Sequence, residues 1–166
     1  MLLYHYTSPA HLRGIDRHGL TIGDVVTDFA NFEGLVGVWL TSSQSPTGHG
    51  LGGGPLDKTK IRLTVDVSED GKLVRWADWA PRHISLDTAR RLIAAGGQSA
   101  DSWYIYFGHI PRNRILSAES VKDGKPILDL AGHWPEEKSV RAVPFEARYV
   151  WHNRLLRDVK RASRRC

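Results

Sequence analysis

The sequence holds one cysteine, Cys166, and it is the last residue. A lone thiol forms no intrachain disulfide, which excludes the staple of small secreted domains and makes a cytoplasmic setting the expectation. Without fixed neighbours to lower its pKa, a terminal thiol is also a poor nucleophile. Long apolar runs are missing too. Nothing approaches the roughly 20 residues that cross a bilayer, and Met1 opens onto a patterned segment unlike a signal or transit peptide, so no membrane partner is expected. Neither a paired-Cys nor a His-Glu-x-x-His pattern occurs, and no metal is expected. His11 and His18 read instead as exposed helix residues. The run Gly52-Gly53-Gly54-Pro55-Leu56-Asp57-Lys58-Thr59 lacks the glycine that a phosphate loop needs directly before its lysine. Asp57 stands there. Acid is the scarcer charge: 18 Asp plus Glu against 23 Lys plus Arg leave +5 at pH 7, a balance that favours polyanions or phosphorylated small molecules.

What is present is enough for one core. Of 166 residues, 41% are hydrophobic and 25% charged, so residues 1–166 read as a single domain, and the mixed strand and helix signals that follow make it α+β. Residues 2–7 predict a strand, and Ser8-Pro9 opens a helix that Gly19 ends in the left-handed conformation. A weak strand is expected over 25–29, loop over 34–37, a strand over 37–41, and a long Ser-, Gly- and Pro-rich loop over 42–56. Strict alternation over 61–67 predicts a half-buried strand. Residues 76–81 read as a loop or short helical turn, 86–95 as a helix, and 103–107 and 114–121 as strands. Asp123-Gly124 signals a hairpin turn before 126–130. A basic, amphipathic helical segment is expected over about 145–166, where Tyr149, His152, Leu155, Leu156 and Val159 recur at helical intervals.

The chemistry centres on the first strand, Leu3-Tyr4-His5-Tyr6-Thr7. A histidine in an apolar strand needs partners for both ring nitrogens, and two readings stay open: a core histidine satisfied by backbone, or a functional group. His-Tyr-Thr leading into a capped helix that ends at Gly19-Leu20, then Gly37-Val38-Trp39-Leu40-Thr41-Ser42, then an aromatic strand near Asp101, resemble in that order the ADP-ribosyltransferase superfamily, over roughly residues 2–121. The resemblance implies a split β-sheet core with flanking helices and NAD as substrate. His5 would bond an NAD ribose, and Trp39, in place of the more usual Tyr, would stack on nicotinamide. Asp101 would take the place of the acid, usually Glu, that supports the oxocarbenium-like transition state. Tyr6, Thr7, Arg13, Thr41 and Ser42 complete the implied NAD-binding set, with Arg13 toward the pyrophosphate. No Glu lies in the aromatic strand itself, and Glu119 and Glu146 are the substitutes.

The implied activity is mono-ADP-ribosyl transfer in a small, toxin-like bacterial or phage member. Its acceptor would be a nucleic acid or a protein, with an antitoxin or host protein as a further partner. Arg154, Arg157, Lys160, Arg161, Arg164 and Arg165, and separately His109, Arg112 and Arg114, make clusters of the kind that bind phosphate. Two alternatives stand beside this reading. One is a metal-independent ribonuclease toxin using His and Arg; the other is an inactive nucleic-acid-binding protein on the same fold.

Overall fold

The structure, a computed structural model, describes residues 1–51, 55–132 and 140–163. Gly52 to Gly54, Arg164, Arg165 and Cys166 lie outside the described residues. Strand β1 (Leu2–Thr7) runs into Ser8, whose hydroxyl accepts from the Ala10 N–H at 3.4 Å, and Pro9–His11 forms a 3-10 turn before helix α1 (Leu12–His18). A hairpin follows, β2 (Asp24–Asp28) and β3 (Glu33–Val36), then β4 (Val38–Thr41) and, beyond the long loop, β5 (Ile61–Asp66). Next come β6 (Leu73–Arg75), α2 (Trp76–His83), α3 (Leu86–Gly96), a 3-10 turn over Gly97–Ser102, β7 (Trp103–Tyr106), β8 (Ile115–Ser120) and α4 (Arg148–Ser163).

Three expectations change. Of residues 34–37, expected as loop, 34–36 pair with β2, because Phe32 takes a positive φ of 61° and turns β2 back on β3. Residues 76–81 become a full helix despite Pro81, with Trp76 and Ala80 buried on its inner face. Residues 126–130 form no strand; the turn at Gly124 closes as expected, and around an isolated bridge between Pro126 and Glu119 the Ser120 N–H donates to the Lys125 carbonyl and the Ile127 N–H to the Ala118 carbonyl, but the pairing goes no further.

Six strands form one antiparallel sheet in the order β6-β7-β4-β1-β5-β8, with β2-β3 as a separate pair. The fold is α+β. Along β5 the expected alternation holds: Ile61, Leu63 and Val65 are fully buried and Arg62, Thr64 and Asp66 are half-buried. The sheet has a seam. β1 pairs with β5 over its whole length, from Leu2 opposite Asp66 to Thr7 opposite Ile61, but meets β4 through one pair only, Tyr4 opposite Thr41. The sheet is thus two three-stranded halves joined at a point. One core runs across the seam, joining Leu3, Leu12, Ile15, Leu63 and Ile115 to Val38 and Leu40 of β4 and Tyr106 of β7, whereas Trp76, Ala80, Trp103 and Ile105 belong to a second core.

Helix α4 covers the hairpin. Leu155 and Val159 are buried as the spacing predicts, but Tyr149 is exposed. The helix is anchored by side chains to backbone: Arg148 donates to the Val36 carbonyl at 2.6 Å, and His152 Nε2 lies 2.8 Å from the Gly34 carbonyl. Among the described residues no helix is long and apolar enough to cross a membrane.

Gly19 closes α1 at φ 70° and ψ −157°, a region essentially restricted to glycine. A Cβ there would also overlap the Ile110 carbonyl oxygen that receives the Leu20 N–H. Gly19→Ala is therefore expected to cost at least about 2 kcal/mol in urea unfolding. Gly71→Ala, with nothing within 4 Å of the added methyl, should unfold like the parent; equal losses in both would contradict this account.

Candidate functional site

Antiparallel strands count in opposite directions, so beyond Tyr4 and Thr41 a continuing ladder would set Tyr6 opposite Trp39. The strands part instead. The Trp39 carbonyl that the ladder leaves over is taken by the His5 side chain, whose Nδ1 lies 2.8 Å away. A carbonyl only accepts, so Nδ1 carries the proton. Burial lowers the His5 pKa to about 4, an effect that the Trp39 bond partly offsets and the nearby Lys58 reinforces. The ring is thus neutral at pH 7, with Nε2 as an acceptor that has no partner among the described residues.

The parting opens a cleft of about 390 Å³ lined by β1, α1, β4, Trp103, the 19–24 segment and residues 140–143. Its aromatic wall is built within the β6-β7-β4 half. Trp39 and Trp103 meet edge to face with centroids 5.9 Å apart, and Trp103 meets Trp76 in the same way at 5.4 Å. Gly96 is what lets Trp103 lie there, since a Cβ would overlap its ring. His49, from the long loop, reaches in and stacks on Tyr6.

The predicted residues divide. His5, Tyr6, Thr7, Trp39 and Thr41 all line the cleft. Thr7 and Thr41 also serve the protein itself. The Thr7 hydroxyl lies 3.0 Å from His11 Nδ1; that of Thr41 lies 2.9 Å from Ser102 Oγ and accepts from the Ser43 N–H. Arg13 and Ser42 are exposed and not among the lining residues. Neither is Asp101, also exposed, whose backbone carbonyl accepts from the Arg75 guanidinium at 3.3 Å. The reason is local: Asp101 sits in the 3-10 turn before β7, so the two-residue alternation that would align it with Trp103 does not reach it. Glu119 is bound to Arg62 across β5 and β8, and Glu146 is exposed; neither lines the cleft.

Several lining groups were not singled out for this site by the sequence. Asp24 is the one carboxylate among the described lining residues, with Lys58 and Arg141 as cations. Its carboxylate accepts from Trp151 Nε1 at 2.6 Å, while its backbone carbonyl accepts from Trp39 Nε1 at 2.8 Å. His5 and Asp24 are thereby tied to opposite ends of one residue, Trp39. His11 and His18, expected to be exposed, are half-buried and line the cleft. Burial lowers the pKa of His11, and Lys58 adds to the effect. No short-range pattern announces Asp24. A helix-spaced Trp151 was the available signal, and it acquires meaning only once α4 lies on β3.

The two basic clusters also differ. Arg112 pairs with Asp16 at 3.0 Å, Arg114 with Asp66 at 3.1 Å, and His109 Nε2 lies 2.8 Å from the His18 carbonyl, so the cluster after β7 joins parts of the fold. On α4, Arg154 and Arg161 pair with Asp158 along the helix at 3.4 Å each, and Arg154 also lies over the Trp151 ring, 4.7 Å from its centroid, and so beside the cleft. Comparison with family models, with curated proteins and with solved structures returned no match to this chain.

The His5 shift has a sign. Unfolded, the ring binds a proton near pH 6.5; folded, it does so only near 4, so its contribution is complete above 6.5 and lost as pH falls toward 4. Between pH 7 and pH 4.5 the parent should lose about 2 to 3 kcal/mol more than His5→Gln in urea unfolding. Parallel pH profiles for the two proteins would contradict a neutral, buried His5.

Proposed function

We propose that the cleft binds NAD and that the protein transfers ADP-ribose from it to a macromolecular acceptor. The observation that carries this reading is His5 in the seam: a neutral ring, locked by a backbone carbonyl in the tautomer that offers Nε2 to a hydroxyl donor, beside an aromatic wall. The divided sheet fits the split core that the sequence resemblance implies.

The chemistry then has a part for each group. NAD lies with a ribose hydroxyl donating to His5 Nε2 and the nicotinamide against Trp39. The bond from ribose C1′ to the ring nitrogen breaks, its electron pair leaves with nicotinamide, and the ring loses its positive charge without needing a proton. Positive charge grows on the ribose, where a carboxylate stabilises it. We assign that carboxylate to Asp24 in place of Asp101, because Asp24 lines the cleft and is held in place by Trp151. An acceptor lone pair closes on C1′, and the acceptor's proton leaves to solvent or to a base. Lys58 and Arg141, which line the cleft, supply cationic contacts for the pyrophosphate in place of Arg13, which does not line it. The acceptor is a nucleic acid or a protein bound to one, a choice supported by Arg154 of α4, which lies over Trp151 at the cleft.

Nicotinamide release and mass gain on added acceptor, measured with purified protein and NAD, test this. His5→Ala and Asp24→Asn should each lower the rate on the order of a hundredfold, the usual scale for losing one stabilising group in a preorganised site. Asp101→Ala should retain the parent rate. RNA cleavage in the absence of NAD, with no nicotinamide released in its presence, would replace this reading with the ribonuclease one. Binding of nucleic acid without either reaction would replace it with the inactive one.

A further inference from the structure

His49 belongs to the long loop, yet its ring is fastened inside the cleft on three sides. It stacks on Tyr6 with centroids 5.8 Å apart and planes 21° apart. Trp103 Nε1 donates to its Nδ1 at 2.9 Å, because an indole nitrogen only donates. Its Nε2 then carries the proton and donates to the Ser45 carbonyl at 2.9 Å. Flanking it, Gly48 and Gly50 take positive φ values of 80° and 64°, a backbone that other residues adopt at a cost. Close packing of Gly48 against Ser99 leaves no room for a Cβ either. The loop is thus shaped to present one planar nitrogen ring to one aromatic face and one indole N–H.

Neither Tyr6 nor Trp103 depends on that ring for its place. Tyr6 is held in β1 and donates its hydroxyl to the Ser43 carbonyl at 3.3 Å; Trp103 is wedged between Trp39 and Trp76 in β7. The face and the donor belong to the strands, and the ring belongs to the loop. We infer that Tyr6 and Trp103 form a subsite for a planar nitrogen heterocycle with an in-plane acceptor, and that His49 occupies it as an internal stand-in that the ligand ring displaces. Loop release and ring binding are then one exchange, because both rings need the same face and the same N–H. The intrinsic affinity for a ring is masked by the fraction of time that His49 is seated. This subsite does not require NAD: adenine or nicotinamide carried on any scaffold satisfies it.

The test uses the full chain and three probes, NAD, adenosine and nicotinamide, titrated while the Trp103 indole N–H resonance is followed by NMR and assigned with Trp103→Phe. His49→Ala empties the subsite, and at least one probe should bind it on the order of tenfold more tightly than the parent. That probe should move the Trp103 resonance in both proteins. His49→Phe refills the face with a ring that accepts no hydrogen bond and should not reproduce the gain. Unchanged or weaker binding of all three probes to His49→Ala overturns the inference, as does binding that leaves the Trp103 resonance in place. The two readings separate cleanly. Nicotinamide release without a gain in His49→Ala keeps the transferase and removes the stand-in, whereas a gain without NAD cleavage does the reverse.

Discussion

One hydrogen bond, from His5 to the Trp39 carbonyl, is where architecture and chemistry meet. Parting two strands of a sheet strands a backbone carbonyl, and a buried carbonyl without a donor is costly. Here an imidazole supplies the donor, so β1 and β4 stay apart without leaving that oxygen bare. The same bond fixes the tautomer and so decides which nitrogen faces the cleft. Burial completes the arrangement by keeping the ring neutral at pH 7. A cleft at this point is therefore a consequence of how the sheet is divided.

Around that seam the aromatic residues act as both core and wall. Trp39 shows this most clearly: its backbone carbonyl holds His5, its indole N–H holds Asp24, and its ring meets Trp103. Asp24 in turn receives Trp151 of α4, so a helix at the far end of the chain helps set a carboxylate near the first strand. Charge is organised along the same lines. Arg112 and Arg114 are consumed in joining β8 and its approach to α1 and β5, and on α4 Arg154 and Arg161 pair with Asp158 while Arg154 also lies over Trp151 at the cleft. The +5 balance is thus partly structural.

How far these features were legible depended on their range. β1, β5 and α3, and the spacing of Leu155 and Val159 on α4, follow from periods of two and 3.6 residues and from local punctuation, and they appear close to where the pattern puts them. His5 and Trp39 stood out because polar or bulky residues interrupt or crown short apolar strands. Asp101 misled because its alignment with Trp103 assumed a strand that begins one residue after Ser102. The 34–37 segment misled because its two glycines hid a strand that the turn at Phe32 folds onto β2.

By itself the sequence determined the alternation of strands and helices, the placement of His5 and Trp39 each on a strand, and the lack of a thiol staple, since each follows from residue types and from residues close together in the chain. Tertiary structure alone decided which carboxylate enters the cleft, which arginines are already paired, and that His49 reaches Tyr6 and Trp103. Those depend on contacts between residues 43 to 127 positions apart, and no local period encodes where a strand will part from its neighbour.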